Sequence, residues 1–321
     1  MRTGAAAGHQ GYFHEAALYG SDDEFLAIVV PFLEDGLKAG EPTLVVLDEP
    51  NEKLIRGAMG RAAGLSFLNG AAQYARPASA IRKQRSMLAS HVADGAAQIR
   101  VVGDVPHPGT GVCWDWWARY EAAVNHAYDD FPLWGMCPYD TRTTPDDVLA
   151  DVARTHPRIA SAAGHHSNDG FEDPIGFLAR LGPAGPDPLE LAPPSVELKS
   201  CTPAAAREAV LRAAAGSDVP AAEVDDLLIA VSEAVANAHR HGKPSVRLRL
   251  WAGWERLVVT VADRGRGPAD PFAGLVPARN SPGGLGLWII HQICARVTMC
   301  VGEDGFTIRM VAGKPGLPLT L

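Results

Sequence analysis

The chain has 321 residues, of which 47% are hydrophobic and 21% are charged, with a formal net charge of −8. These values are close to those of ordinary globular proteins, so they exclude a disordered, collagenous or disulfide-stapled chain, and the length predicts two domains. The acidity lies in the first part, because residues 1–190 hold 15 basic and 25 acidic side chains whereas residues 191–321 hold 14 and 12. No dense Lys/Arg cluster is present, so direct nucleic-acid binding is not expected.

Neither a membrane span nor a secretion signal is visible in the sequence. The apolar runs fall far short of the roughly 20 residues that a span needs, and no basic stretch with a following apolar run opens the chain. The five cysteines include no C-x-x-C pair, which fits a reducing compartment and does not indicate a structural zinc site. We therefore expect a cytoplasmic protein that contacts no membrane.

The first 180 residues alternate between helical and strand-like patterns. Ser21 and Glu24 mark the start of a helix that runs to about residue 36. Strands are predicted at 43–47, 99–102 and 131–136, and helices at 51–59, 77–93 and 114–127. This alternation predicts an α/β/α domain with a mostly parallel sheet. Ligands of such sheets bind beyond the carboxyl ends of the strands, which would gather residues 48–50, 103–104 and 137–140.

A segment rich in proline and glycine, residues 181–195, predicts a linker between domains at 9–180 and 196–321. Downstream of it the order of elements changes. Helices are predicted at 203–216, 225–240 and 287–294, and strands at 245–251, 256–262, 296–301 and 306–311. The whole chain is thus predicted to be α/β, with a second domain that is a two-layer α/β sandwich.

One polar pair on the predicted 225–240 helix carries candidate chemistry. Glu233 and Asn237 lie one turn apart on the same face. An amide oxygen can bind a hard cation, and a neighbouring carboxylate can polarise a nucleophile. By itself the pair is better explained as an exposed polar face.

Two glycine motifs follow this helix. Asp263 ends a predicted strand and is followed by Gly265 and Gly267, so the chain can turn close to a ligand. Gly284 and Gly286 open the next helix, where bare backbone N–H groups can bind phosphate. Each motif alone is weak, because turns commonly carry such glycines.

The ordered combination of the three motifs is more specific, and residues 196–313 resemble the GHKL (Bergerat) ATP-binding fold, in particular its anti-sigma-factor serine-kinase branch. The resemblance implies ATP and Mg²⁺ as cofactors, with Asn237 holding Mg²⁺, Glu233 acting as the base that orients a serine, and Asp263 accepting the adenine amino proton. The other residues that it implies for nucleotide binding are Gly265, Gly267, Gly284, Leu285, Gly286, Leu287 and Thr307.

Two functions stay open at this point. The first is an ATP-dependent protein-serine kinase acting on a small anti-anti-sigma protein, which the intact Glu233 and Asn237 favour. The second is a non-catalytic ATP-binding module that sequesters a sigma factor. The family's kinases often carry a Glu-Arg pair where this chain has Ser281-Pro282, with Arg279 the nearest cation, and the missing phosphate clamp favours the second. A homodimer is also left open.

The N-terminal part resembles the MEDS sensory domain over about residues 9–165. The resemblance rests on residues 11–15, Tyr19, residues 21–26 and the Cys137-Pro138-Tyr139-Asp140 segment. It implies a regulator that detects a small organic molecule. The chemistry of two residues makes them sensory candidates, because His14 could donate to or ligate such a molecule and Cys137 could be a soft contact at a strand end. The alternative for these two residues is a hydrogen-bonded core histidine and a small buried thiol.

Overall fold

The computed structural model describes residues 1–60, 64–110, 112–182, 185–276, 285–302 and 304–314. The chain divides into two compact units, Met1–Arg180 and Leu181–Leu321. Among the described residues, no helix combines the length and the apolar character that crossing a membrane requires.

A mostly parallel sheet forms the centre of the first unit. Its described strands are β1 (Phe13–Tyr19), β2 (Thr43–Val46), β3 (Leu65–Phe67), β4 (Ile99–Gly103), β5 (Leu133–Asp140), β6 (Arg158–Ser161) and β7 (Gly164–Ser167). They lie in the order β3-β2-β4-β5-β1-β6-β7, and β7 is antiparallel to β6 whereas the other neighbours are parallel. The predicted parallel α/β architecture is confirmed.

Helices surround this sheet. They are α1 (Asp22–Lys38), α2 (Glu49–Met59), α3 (Gly70–Gln73), α4 (Pro77–Ala93), α5 (Trp114–Ala127), α6 (Asp146–Thr155) and α7 (Pro174–Leu181). Ser21 caps α1 as predicted, because its side chain accepts a hydrogen bond from the Glu24 backbone N–H at 3.1 Å. On one face of the sheet, Phe25 and Phe32 of α1 and Ile55 of α2 pack into an apolar core against Phe13 and Trp134.

The second unit is a five-stranded antiparallel sheet over the described residues. Its strands are β8 (Val196–Lys199), β9 (Arg247–Ala252), β10 (Arg256–Asp263), β11 (Arg296–Gly302) and β12 (Gly305–Gly313), in the order β11-β12-β10-β9-β8. The helices α8 (Pro203–Ala214), α9 (Ala221–His241) and α10 (Leu285–Ile293) contribute to one core with this sheet. The two-layer α/β sandwich is confirmed.

Part of the proline-rich segment packs on the outer face of this second sheet. Pro188–Leu191 form a short 3₁₀ helix, which Asp187 and Glu190 close with a reciprocal capping box. The Asp187 carboxylate is 3% exposed and accepts from Arg256 at 3.1 Å, and Glu190 forms an ion pair with Arg309. Residues 187–192 are therefore part of the folded second unit and not a free tether.

Candidate nucleotide site and buried sensory cluster

Helix α9 presents the polar pair of the candidate nucleotide site. It buries Leu227, Val231 and Ala234 against the sheet, which leaves Glu233 and Asn237 half-buried one turn apart. These apolar residues recur at helical spacing and form the packed stripe of the helix. Its burial orients the pair, because side chains four residues apart on a helix lie one above the other.

Gly286, from the glycine motif that opens α10, lies against the Glu233–Asn237 pair of α9. A Cβ atom built on Gly286 would lie 2.8 Å from Asn237 Nδ2 and 2.9 Å from Glu233 Oε2, so only a glycine lets the start of α10 approach this pair so closely. Next to it, Leu287 is partly buried against the core and Leu285 is 55% exposed. Three further positions of the sequence analysis lie outside the described residues: Gly284, the Ser281-Pro282 pair and Arg279.

Asp263 lies at the end of β10 and is only 6% exposed. Its Oδ1 accepts the backbone N–H groups of Gly265 at 2.5 Å and Lys243 at 3.1 Å. Since both of these donors reach Oδ1, the other carboxylate oxygen is left to accept from a ligand. Gly267 follows with a φ of +67°, a left-handed conformation that glycine adopts without strain. Two exposed cationic side chains, Arg264 and Arg266, also flank this turn.

The strand register places Thr307 away from this group. In the β10–β12 pair Asp263 lies opposite Phe306, and Thr307 lies opposite Ala262. Successive residues of a strand face opposite sides of the sheet, so Thr307 points away from the face that carries Asp263. Phe306 lies on the same face as Asp263, and its ring packs against Gly267. The structure therefore does not bring Thr307 to the site, and the sequence analysis missed Phe306.

The comparisons with known proteins agree with both predicted domains. Residues 13–157 match the family described as MEDS, the MEthanogen/methylotroph, DcmR Sensory domain, and residues 199–312 match the Histidine kinase-like ATPase domain family. The chain joins a MEDS sensory domain to a histidine kinase-like ATPase domain. The motifs built from Glu233, Asn237, Asp263 and Gly286 lie inside the matched ATPase region.

Solved and curated proteins add little to this assignment. The crystal structure of the RsbU and RsbW domains of a Mycobacterium tuberculosis protein is similar at 18% identity, with a TM-score of 0.26. That match covers 40% of this chain and 35% of the other, so the chain spans about a third of the solved protein. A search of curated proteins finds no match.

In the MEDS domain, the two sensory candidates lie next to each other on one face of the sheet. His14 on β1 pairs with Gly135 of β5, and Ala16 pairs with Cys137, so both candidates share one sheet face. Cys137 Sγ lies 3.5 Å from His14 Nε2, and the two residues are 8% and 0% exposed. Burial raises the pKa of the Cys137 thiol and lowers the pKa of the His14 imidazole, so without a further charge both are neutral.

A narrow cavity lies beside these residues. Its wall combines aliphatic side chains with Glu121, Cys137 and four tyrosines, which are Tyr12, Tyr74, Tyr120 and Tyr128. The Tyr12 ring stacks on His14, with ring centroids 4.5 Å apart. Aromatic walls with a few hydroxyl groups are suited to a small organic ligand. Sequence analysis missed the role of the tyrosines and Glu121, because no spacing motif links the segment around α5 to Tyr12 and Tyr74.

The carboxyl end of the sheet gathers only some of the residues expected there. Asp104 Oδ2 accepts from the Asp48 backbone N–H at 2.9 Å and from Asn51 Nδ2 at 3.1 Å, so the ends of β2 and β4 do converge. Burial, reinforced by the nearby Asp48 carboxylate, raises the pKa of Asp104 to about 7. Cys137, however, lies within a strand, because β5 runs four residues beyond its predicted end to Asp140.

Proposed function

We propose that this protein is a signalling regulator in which the MEDS domain controls an ATP-dependent protein-serine kinase. Its substrate would be a serine of a small anti-anti-sigma protein. The observation that carries the proposal is the approach of Gly286 to both Glu233 and Asn237, since it brings the start of a helix to a carboxylate and an amide at once.

The residues present fit a bound Mg²⁺–ATP. Asn237 would hold the metal through its amide oxygen, and Asp263 would accept the adenine amino proton. Gly265, Gly267 and Gly286 keep the surrounding backbone bare, and a side chain at Gly286 would fill the space in front of the polar pair. When bound, the nucleotide supplies the phosphoryl group.

Glu233 would act on the partner's serine. It lies one helical turn from Asn237, so a hydroxyl directed towards the metal-bound phosphate would be within its reach. The carboxylate would orient this hydroxyl and accept its proton, a role that usually contributes about 10² to 10⁴ in rate. Glu233 is half-buried, so a partner's side chain could still reach its carboxylate.

The second candidate is a non-catalytic module that binds ATP and sequesters a sigma factor. It is favoured by Ser281-Pro282, which stand where the family's kinases often carry a Glu-Arg pair. The cations Arg264 and Arg266 at the Asp263 turn supply positive charge near the site in either case. In both candidates, occupancy of the tyrosine-lined cavity by a small organic molecule would be the controlling signal.

The substitution Glu233→Gln separates the two candidates. If Glu233 is the base, the variant binds Mg²⁺–ATP within a few-fold of the wild type but transfers phosphate about 100-fold more slowly or worse. Transfer of labelled phosphate to a co-purified partner measures this, with Ser232→Ala as the matched control on the same helix. Equal transfer rates in wild type and variant would remove Glu233 from the mechanism. Binding of a sigma factor without any transfer would establish the second candidate.

A further inference from the structure

Four buried side chains of the MEDS domain direct one donor atom each to a common point. The donor atoms of His14, Glu121, Cys137 and His156 all lie within 4.8 Å of one another, and the residues are between 0% and 8% exposed. They come from β1, α5, β5 and the residue that follows α6. Such a set of imidazole, thiol and carboxyl groups is a chemical class that binds transition metals.

Three of the six separations between these donor atoms match those of ligands around one ion, and all six are within 4.8 Å. Glu121 Oε2 lies 3.5 Å from His14 Nε2 and 3.6 Å from His156 Nε2, and Cys137 Sγ lies 3.5 Å from His14 Nε2. With metal–nitrogen distances of about 2.0 to 2.1 Å and a metal–sulfur distance of about 2.3 Å, tetrahedral ligands are roughly 3.3 to 3.7 Å apart. The two carboxylate–imidazole separations are too long for hydrogen bonds.

Hydrogen bonds on the far side of each imidazole fix its tautomer. Asn125 uses its Nδ2 to donate to the carbonyls of Glu121 and Thr155, so its Oδ1 faces His14 Nδ1 at 3.0 Å and requires a proton there. His156 Nδ1 lies 2.9 Å from the Val152 carbonyl, which likewise requires a donor. In both rings Nε2 is therefore the unprotonated nitrogen, and its lone pair points to the cluster.

The group is unsatisfied without a further atom. Within the part of the chain that the structure describes, Glu121 Oε2 and His156 Nε2 are buried and have no hydrogen-bond partner, a costly arrangement for two polar atoms that face each other. The other carboxylate oxygen, Oε1, is held by the Tyr139 hydroxyl at 2.6 Å, which orients Oε2. A divalent cation would balance one carboxylate and one thiolate and would leave the buried site with no net charge.

We propose that His14, Glu121, Cys137 and His156 form a four-ligand site for a divalent transition metal in the MEDS domain, with Zn²⁺ as the ion that best fits the donor set. Binding releases the Cys137 and Glu121 protons, and each of the four side chains supplies one bond. Glu121 and Cys137 also line the tyrosine-walled cavity. The site lies outside the ATPase domain and does not depend on the proposed kinase activity.

Metal binding by the full chain, freed of any affinity tag, tests the proposal. The protein is treated with a chelator, dialysed and titrated with Zn²⁺ against a coloured competitor, and Co²⁺ is used as a spectroscopic probe. We expect one equivalent of Zn²⁺ per chain, a several-degree rise in the unfolding temperature on zinc loading, and a Co²⁺ spectrum with a thiolate charge-transfer band. Less than about 0.1 equivalent of Zn²⁺ after loading would overturn the proposal.

Variants assign the ligands. Cys137→Ser should remove the Co²⁺ charge-transfer band and weaken Zn²⁺ binding at least 10-fold, and His156→Gln should weaken binding while it keeps the band. Cys201→Ser, which alters a buried thiol of the second unit, should leave both unchanged. A band that survives in Cys137→Ser but is lost in Cys201→Ser would refute the assignment. Circular dichroism of metal-free Cys137→Ser and metal-free wild type serves as the folding check, because the substitution lies in the MEDS domain.

Discussion

The candidate nucleotide site and the buried donor cluster of this protein differ in their exposure to solvent. In the ATPase domain Glu233 and Asn237 form an open group, because they are half-buried and glycines keep the backbone beside them bare. In the MEDS domain His14 and Glu121 belong to a closed group, because both are fully buried, and a narrow cavity adjoins Glu121. An open group with bare backbone can admit a ligand as large as a nucleotide. A closed cluster of donor atoms has room for nothing much larger than an ion.

The contrast also concerns what each group needs from its ligand. The open group remains hydrated when empty, so its polar atoms carry little penalty without a ligand. In the closed group, Glu121 Oε2 and His156 Nε2 have no hydrogen-bond partner among the described residues, so an ion bound there would stabilise the fold itself. Ligand removal should therefore affect chiefly activity in the ATPase domain and chiefly stability in the MEDS domain.

The sharpest test of the open group is Asn237→Ala. Loss of the amide oxygen removes the residue proposed to hold Mg²⁺, so we expect affinity for Mg²⁺–ATP to fall about 100-fold or more while the unfolding temperature changes little. Calorimetric titration measures the affinity, and Ser232→Ala on the same helix is the control. Undiminished affinity in Asn237→Ala would remove this residue from the site.

A smaller effect is expected from Gly286→Ala. The added methyl group would lie within 2.9 Å of both side chains of the pair, so these must shift and nucleotide affinity should fall roughly 10-fold. Gly216→Ala is a matched control, since a Cβ there meets no atom within 4 Å. Similar losses in the two variants would show that the effect is general destabilisation and not closure of the open group.

The smallest expected effect concerns Asp104 of the MEDS domain, which, unlike the buried cluster, is partly exposed. Its pKa of about 7 in the folded state lies above the ordinary value of 3.8, so the folded state retains a proton that the unfolded state releases. The free energy of unfolding should therefore fall as pH rises from about 4 to 7. Asp104→Asn should remove this decline and stabilise the MEDS domain at pH 8 by about 1 to 2 kcal/mol, allowing for the partial exposure.

Denaturation of the full chain at pH 5 and pH 8 measures this difference on the transition of the MEDS domain. Asp94→Asn, at an exposed position after α4, is the control and should leave the pH dependence unchanged. An Asp104→Asn variant that keeps the wild-type pH dependence would show that another group titrates in this range.

Local sequence signals predicted where two of the helices begin and end. The predicted bounds of α4 (Pro77–Ala93) and α5 (Trp114–Ala127) are those of the structure. The central strand β1 was missed, because it is buried along almost its whole length and so lacks the alternation of a half-exposed strand. The role expected for Thr307 was also not supported, because the side of a strand that a residue faces depends on register.

What the sequence by itself determined is the composition of the open group. Its residues belong to three short motifs whose spacing reflects local geometry, a helical turn, the end of a strand and the start of a helix, and such geometry is written in neighbouring residues. The sequence analysis named His14 and Cys137 of the closed group, and only the tertiary structure placed Glu121 and His156 beside them. Three of the donors come from β1, α5 and β5 and the fourth follows α6, and no local pattern links residues as distant as His14 and Cys137, which are 123 positions apart. Packing of α5 and the end of α6 against the β1–β5 pair brings them together, because burial of apolar surface, and not any local signal, sets which distant residues meet.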